Sequence, residues 1–190
     1  MTKSTFISAV TAAALTFSAG AAFAESHAAA NPMVGGAEMF AEKNIVENAV
    51  NSADHTTLVA AVTAAGLVDT LASEGPFTVF APVNSAFAAL NQDQLADLLK
   101  PENKAALTTI LTCHVVGSAV MSDALGGMIN DDGGEHPVPT FGGCTLMAKY
   151  EGDKITLTDE RGQVANITIA DVKQSNGVIH VIDTVMLPAE

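Results

Sequence analysis

The chain has 190 residues, 48% of them hydrophobic, with 21 acidic against 8 basic side chains and a formal net charge of −13. A surface this acidic repels nucleic acid and anionic lipid headgroups, so neither is an expected partner. Past the first two dozen residues there is no run of about 18 apolar residues, so no membrane-spanning helix is expected.

Residues 1–24 read as an export leader. Lys3 gives a positive start, Phe6 to Phe17 is mostly apolar or small, and Ala22-Phe23-Ala24 fits a small-x-small cleavage site. The expectation is a mature chain starting at Glu25, in a secreted or periplasmic bacterial protein associated with the cell surface. Residues 25–40 carry Ala, Asn, Pro and the Gly35-Gly36 pair with no sustained period, and read as a flexible N-terminal segment. A single domain is expected over 41–190.

Helical signals dominate its first half. Asn44 and Glu47 have capping-box spacing before an apolar stripe at Ile45, Val46, Ala49 and Val50. Asp54 is placed to cap a helix carrying Leu58, Val59, Val62 and Ala65 and ending at Gly66. Val68 and Leu71 belong to a short third helix. Phe77 to Phe80 is branched and aromatic, which predicts a strand, and Pro82 removes the donor that would extend it. Asn84 is placed to cap a helix from Ser85 to Leu90. Two further helices are expected over 93–100 and 102–111, with Pro101 suited to a helix start.

The second half reads differently. Residues 126–143 hold six glycines and two prolines and read as a loop. Thr145 to Tyr150 and Ile155 to Thr158 alternate about a turn at Glu151-Gly152-Asp153. Ala165, Ile167 and Ile169 share one face of a third strand. Asp171 to Ser175 is polar and reads as an exposed connection. Asn176-Gly177 is a turn pair that tolerates positive φ, and Val178 to Val185 is apolar enough for a strand covered on both faces. Helices first and a meander second predict an α+β fold.

Signatures of catalysis are absent from the sequence: no Gly-x-Ser-x-Gly, His-Glu-x-x-His, Cys-x-x-Cys or phosphate-binding glycine loop occurs. The chain is not read as an enzyme, and neither cofactor nor metal is expected. The acidic stretch Asp131 to His136 lacks the spacing of a calcium loop and reads as a solvated segment. Asn166-Ile167-Thr168 has the form of a glycosylation acceptor but falls within an expected strand. His114 and His180 sit inside apolar runs and are expected as hydrogen-bonded core residues, with His114 bonded near the Phe77 segment. Cys113 and Cys144 suit one bridge in an oxidising compartment, with two unbridged thiols as the alternative.

Two of these segments carry a family resemblance. Phe77 to Phe87, with Pro82, Asn84 and Phe87, and Asn176 to Pro188, with Gly177, His180 and Asp183, resemble the two signature boxes of the fasciclin domain. Between them, Ile110 to Val116 resembles that family's Tyr-His segment, with Cys113 in the tyrosine's place. The resemblance covers roughly residues 41–188. It implies a wedge of two packed β-sheets with helices along one side, and an extracellular adhesion or interaction module whose partners are proteins or glycans on a cell surface or matrix. Among relatives, adhesive activity is assigned to the Tyr-His segment and to an acidic-apolar pair before the second box. Here those positions are Leu111, His114 and Val115, and Asp171 with Val172. Arg161-Gly162 is followed by Gln163, so the Arg-Gly-Asp integrin motif is not implied. The alternative is an extracytoplasmic carrier of a small apolar ligand or lipid. Neither reading sets an oligomeric state.

Overall fold

The computed structural model describes residues 31–189, apart from 153; the expected leader lies outside the described residues. The chain enters through a short hairpin of β1 (Met33–Val34) and β2 (Ala37–Glu38). Val34 and Met39 are buried in the core beside Ile45 and Leu58. The packed unit therefore starts ahead of the expected boundary at 41, because two apolar side chains in a Gly-rich stretch find core contacts.

Asn44 opens α1 (Ile45–Ala49) through the expected capping box, its side chain accepting the Glu47 N–H while the Glu47 carboxylate accepts the Asn44 N–H, each at 2.9 Å. A 3-10 turn at Ala53–His55 leads into α2 (Thr56–Ala65), which ends on Gly66 at φ 73°. That left-handed cap is costless only for glycine. After α3 (Val68–Ala72) come β3 (Phe77–Pro82), α4 (Asn84–Ala88), α5 (Gln92–Leu98), a 3-10 turn at Pro101–Asn103, α6 (Lys104–Thr112) and β4 (Val115–Val116). The second half runs α7 (Ser122–Asp131), β5 (Glu135–Pro139), β6 (Thr145–Glu151), β7 (Lys154–Thr158), β8 (Val164–Gln174) and β9 (Gly177–Ile182).

Seven strands hydrogen-bond in the order β4-β3-β9-β8-β7-β6-β5. Only β3 and β9 are parallel, paired from Phe77↔Gly177 to Pro82↔Ile182. β8 joins the two halves: its start pairs with β7, its remainder with β9, and register shifts fall between Ile167 and Ile169 and between Ile169 and Val172. Such bulges bend a strand. The bend lets the meander fold over the β3/β9 pair.

Two cores result, and the period-2 alternation of β3 and β9 divides them. Val79, Ala81, Ile179 and Val181 face the helices, with Ile45, Leu58, Val62 and Leu111. Phe80 and Ile182 face the meander and α7, with Leu125, Ile129, Leu146 and Leu157. Each of the Val, Leu, Ile and Phe side chains among them contributes up to about 1.5–3 kcal/mol relative to exposure. This is the expected α+β wedge with helices along one side, and covering both faces explains the near-continuous apolar strands.

Two expectations are corrected. Residues 126–143 are not one loop: 126–131 complete α7 and 135–139 form β5, with turns at 132–134 and 140–143. Gly126 sits in the helix because a Cβ there would overlap the Tyr150 hydroxyl on β6. It serves close packing and not a turn. Asp171 to Gln174 is likewise not a connection but the end of β8. Two of its polar side chains are satisfied within the fold, Gln174 accepting from the Asn48 amide and Asp171 accepting from Ser122, while Lys173 is exposed.

Candidate functional site

The two sequence boxes meet as the parallel pair β3/β9, and the three buried histidines are arranged around it. His114 follows α6 and is buried. Its Nδ1 lies 2.8 Å from the Ile110 carbonyl oxygen, and its Nε2 accepts the Met186 N–H at 2.9 Å. A carbonyl only accepts and an amide only donates, so these partners fix a neutral ring protonated at Nδ1. Burial pushes its pKa down to about 4, against the opposing pull of the Ile110 carbonyl and Asp159.

His180, on β9, is fixed the other way round. Its Nε2–H donates to the Val120 carbonyl at 2.8 Å and its Nδ1 accepts the Asp171 N–H at 3.2 Å. The ring stacks on Phe80 with centroids 5.7 Å apart. Burial lowers its pKa, with Val120 and Asp171 opposing. His55, which the sequence reading did not single out, is buried at the entrance to α2 with Nδ1 2.8 Å from Ser52 Oγ. Burial lowers its pKa, while the Ala81 carbonyl and Asp54 oppose. The spacing of Ser52 and His55 and the apolar residues after them were the available signal.

Asp171 is half-buried at φ 60°. Its carboxylate accepts the Ser122 N–H at 2.7 Å and also the Ser122 hydroxyl. Ser122 is the first residue of α7, whose own N-cap, Met121, has no capping side chain. Asp171 therefore caps α7 from 49 residues away, with negative charge at the positive end of the helix.

The other box residues are cross-links. Asn84 does not cap its own helix. Its Oδ1 accepts the Thr57 N–H at 3.0 Å and its Nδ2 donates to the Ala53 carbonyl at 2.8 Å, so it caps α2 instead. Asn176 accepts the Ile45 N–H at 3.0 Å and donates to the Leu71 and Ser73 carbonyls at 2.8 and 2.9 Å. One amide thus holds the start of α1 and the end of α3 to β9. Gly177 does not have positive φ; a Cβ there would strike the Phe77 carbonyl. The turn itself is Ser175-Asn176, between the Gln174↔Gly177 pair. Pro82 and Phe87 are buried, Pro82 ending β3. Asp183 accepts the Asn166 N–H and amide, each at 2.8 Å. These bonds and that from Thr184 outweigh burial and hold its pKa below the usual carboxylate value.

The residues proposed for partner contact are placed unfavourably for that role. Leu111, His114, Val115 and Val172 are all buried, Val172 with no exposed surface. Their side chains pack inward, and Asp171 is held by Ser122. Cys113 and Cys144 are joined as a disulfide, with Cα atoms 5.3 Å apart, linking the end of α6 to the start of β6. Among the described residues, no group of three or more His, Cys, Asp or Glu side chains is placed to hold a metal ion. Within the acidic stretch, His136 and Asp132 pair at 2.6 Å.

Comparison with known proteins supplies the remaining observation. The family model for the Fasciclin domain matches residues 53–188. Protein sll1483 of Synechocystis sp. is 46% identical over 144 residues, covering 76% of this chain and 73% of its own length. The transforming growth factor-beta-induced protein ig-h3 of Sus scrofa is 33% identical over 135 residues, covering 69% of this chain but 17% of that much longer protein. In structure, a FAS1 domain pair from the insect cell adhesion molecule Fasciclin I aligns with a TM-score of 0.68 at 18% identity, over 76% of this chain and 51% of that one.

Proposed function

The chain belongs to the fasciclin domain family, and we propose from that premise that it is an exported interaction module for cell-surface or matrix contacts, a binding protein and not an enzyme. The observation that carries this reading is the Fasciclin match across both boxes, on a fold shared with a domain pair from a cell adhesion molecule. The proposed partners are proteins or glycans. Residues 1–24 are proposed as the export leader, which places the mature protein in the periplasm or outside the cell.

The proposed place of contact is a surface that the box residues leave open. With the box residues spent on internal cross-links, the surface beside the second box is the open groove between residues 72–76 and 173–178. Lys173 and Ser175 are exposed there, carried on a rigid strand end and its turn, a common setting for contact residues. Attachment and aggregation of cells with and without this protein, with purified domain added back, test the role. Lys173→Glu is expected to weaken attachment while leaving the unfolding midpoint within about 0.5 kcal/mol of the parent. Full attachment by a correctly folded Lys173→Glu protein would remove this groove. N-terminal sequencing of native material is expected to read Glu-Ser-His; an intact Met1 on cytoplasmic protein would overturn export.

A further inference from the structure

Residues 118–122 lead from β4 into α7, and Ala119 and Met121 line the open groove together with Lys173 and Ser175. Among the described residues, the backbone of 118–122 makes no hydrogen bond to the backbone of a strand. Side chains hold it instead. Thr78 Oγ1 on β3 donates to the Ser118 carbonyl at 2.6 Å and accepts the Val120 N–H at 2.8 Å. His180 on β9 donates to the Val120 carbonyl at 2.8 Å. Asp171 on β8 accepts the Ser122 N–H and hydroxyl. Three strands thus each send one side chain to this segment.

The His180 and Asp171 ties are coupled. His180 Nδ1 accepts the Asp171 N–H at 3.2 Å, so the ring that holds Val120 also holds the residue that caps Ser122. Among the described residues, Asp171 is the one non-glycine residue at positive φ. That conformation costs energy for a residue with a Cβ and persists only while its surroundings impose it. Phe80 and the Val120 carbonyl, both uncharged, lie against the ring, and the charge that acts on it is the Asp171 carboxylate. A neutral ring accepts at Nδ1; an imidazolium donates there and meets the Asp171 N–H donor to donor. The proton that breaks this bond also makes the ring a partner for the Asp171 carboxylate, which the neutral state leaves on Ser122.

We propose that residues 118–122 are an acid-released strap on the groove. Protonation of His180 breaks its bond to the Asp171 N–H, draws the Asp171 carboxylate from Ser122 to the imidazolium, and frees the first turn of α7 together with Ala119 and Met121. Burial lowers the pKa of His180, so the strap is fastened at neutral pH and lets go below the ordinary histidine value of 6.5. The strap is a property of the fold; its effect on attachment rests on the groove reading above.

An NMR titration of the purified protein from pH 8 to 4 tests the strap without a partner. The His180 ring nitrogens are expected to report one protonation, and the Met121 methyl and Ser122 amide signals to move with the same midpoint. Across it the protection of the Val120 and Ser122 amides from exchange is expected to fall about tenfold, the scale of one lost hydrogen bond, while Val79 and Ile179 on the β3/β9 pair stay protected. Asp171→Asn still caps α7 but offers the imidazolium no charge, so it is expected to move the midpoint of all these signals to lower pH. Loss of protection at Val79 and Ile179 in step with His180 protonation overturns the strap, because the whole fold has then opened. Met121 and Ser122 signals that ignore the His180 midpoint overturn it as well, and a midpoint unchanged in Asp171→Asn overturns the carboxylate transfer. A strap that titrates as expected with no change in attachment across its midpoint overturns its control of the groove. Full attachment by folded Lys173→Glu protein overturns the groove reading instead and leaves the strap standing.

Discussion

At the residue scale, His114 shows how one residue ties the boxes together, its backbone carbonyl accepting the Phe80 N–H at 2.9 Å and its ring accepting the Met186 N–H, and what that buried ring costs in acid. Its pKa is about 4 in the folded protein against 6.5 ordinarily, because burial penalises the charged ring. Between these values the unfolded chain takes up a proton that the folded one refuses. Stability is therefore complete above about pH 6.5 and falls as pH drops toward 4, by about 3 kcal/mol for this residue. His55 and His180 are lowered by the same cause and act in the same direction. Urea midpoints measured from pH 8 to 4 are expected to fall through this window. His114→Ala is expected to cost about 1–3 kcal/mol at pH 7, since the buried Met186 N–H loses its acceptor, and to make the acid loss shallower. A midpoint as high at pH 4.5 as at pH 7 would contradict neutral burial. Asn176 makes a similar point without charge. Asn176→Ala removes three bonds to two helices and is expected to lower stability by about 1–3 kcal/mol, with the largest gain in amide exchange at Ile45.

At the scale of elements, local signals were legible where the chain answers to itself. The Asn44–Glu47 box, the Gly66 stop and the alternation of β6 and β7 all follow from neighbouring residues. What stayed hidden depends on partners far along the chain. Asn84 has the look of a cap for its own helix, yet it caps α2. Gly126 and Gly177 look like turn residues, yet each makes room for an approaching group, a demand no local window contains. Asp171 looked like a contact because it stands where relatives carry an adhesive pair and in a polar segment that read as an exposed connection, while its partner Ser122 lies 49 residues away. The inward packing of Leu111, Val115 and Val172 was likewise invisible, since a short apolar run does not say which face is covered. Two outcomes follow. Gly177→Ala is expected to destabilise by about 1–3 kcal/mol, because the obstacle is the Phe77 backbone and cannot swing aside. Asp171→Ala is expected to cost about 1–2 kcal/mol through the lost cap, with Asn milder because it tolerates positive φ and still accepts a bond. Attachment by Asp171→Ala should then fall only in proportion to unfolding.

At the scale of the whole molecule, two cores share the β3/β9 pair, and a covalent link also joins the helical side to the meander. The Cys113–Cys144 disulfide runs from the end of α6 to the start of β6 across a sequence separation of 31. Gly142 makes the crossing tight: a Cβ there would fall 2.6 Å from the Cys113 backbone nitrogen, and the Gly142 N–H bonds the Thr112 carbonyl at 3.0 Å. The link closes a loop that contains β4, α7 and β5, so the unfolded chain loses freedom that reduction restores. Loop-closure entropy for that length stabilises the fold by about 3–4 kcal/mol. The double substitution Cys113→Ser with Cys144→Ser is expected to lower the free energy of unfolding by about that amount, and dithiothreitol should lower the parent's midpoint and leave the variant's unchanged. Because the entropy acts on the unfolded chain, the variant should keep the native β3/β9 pairing below its new midpoint. A parent midpoint indifferent to reduction would mean that the two halves are held by the shared strands alone.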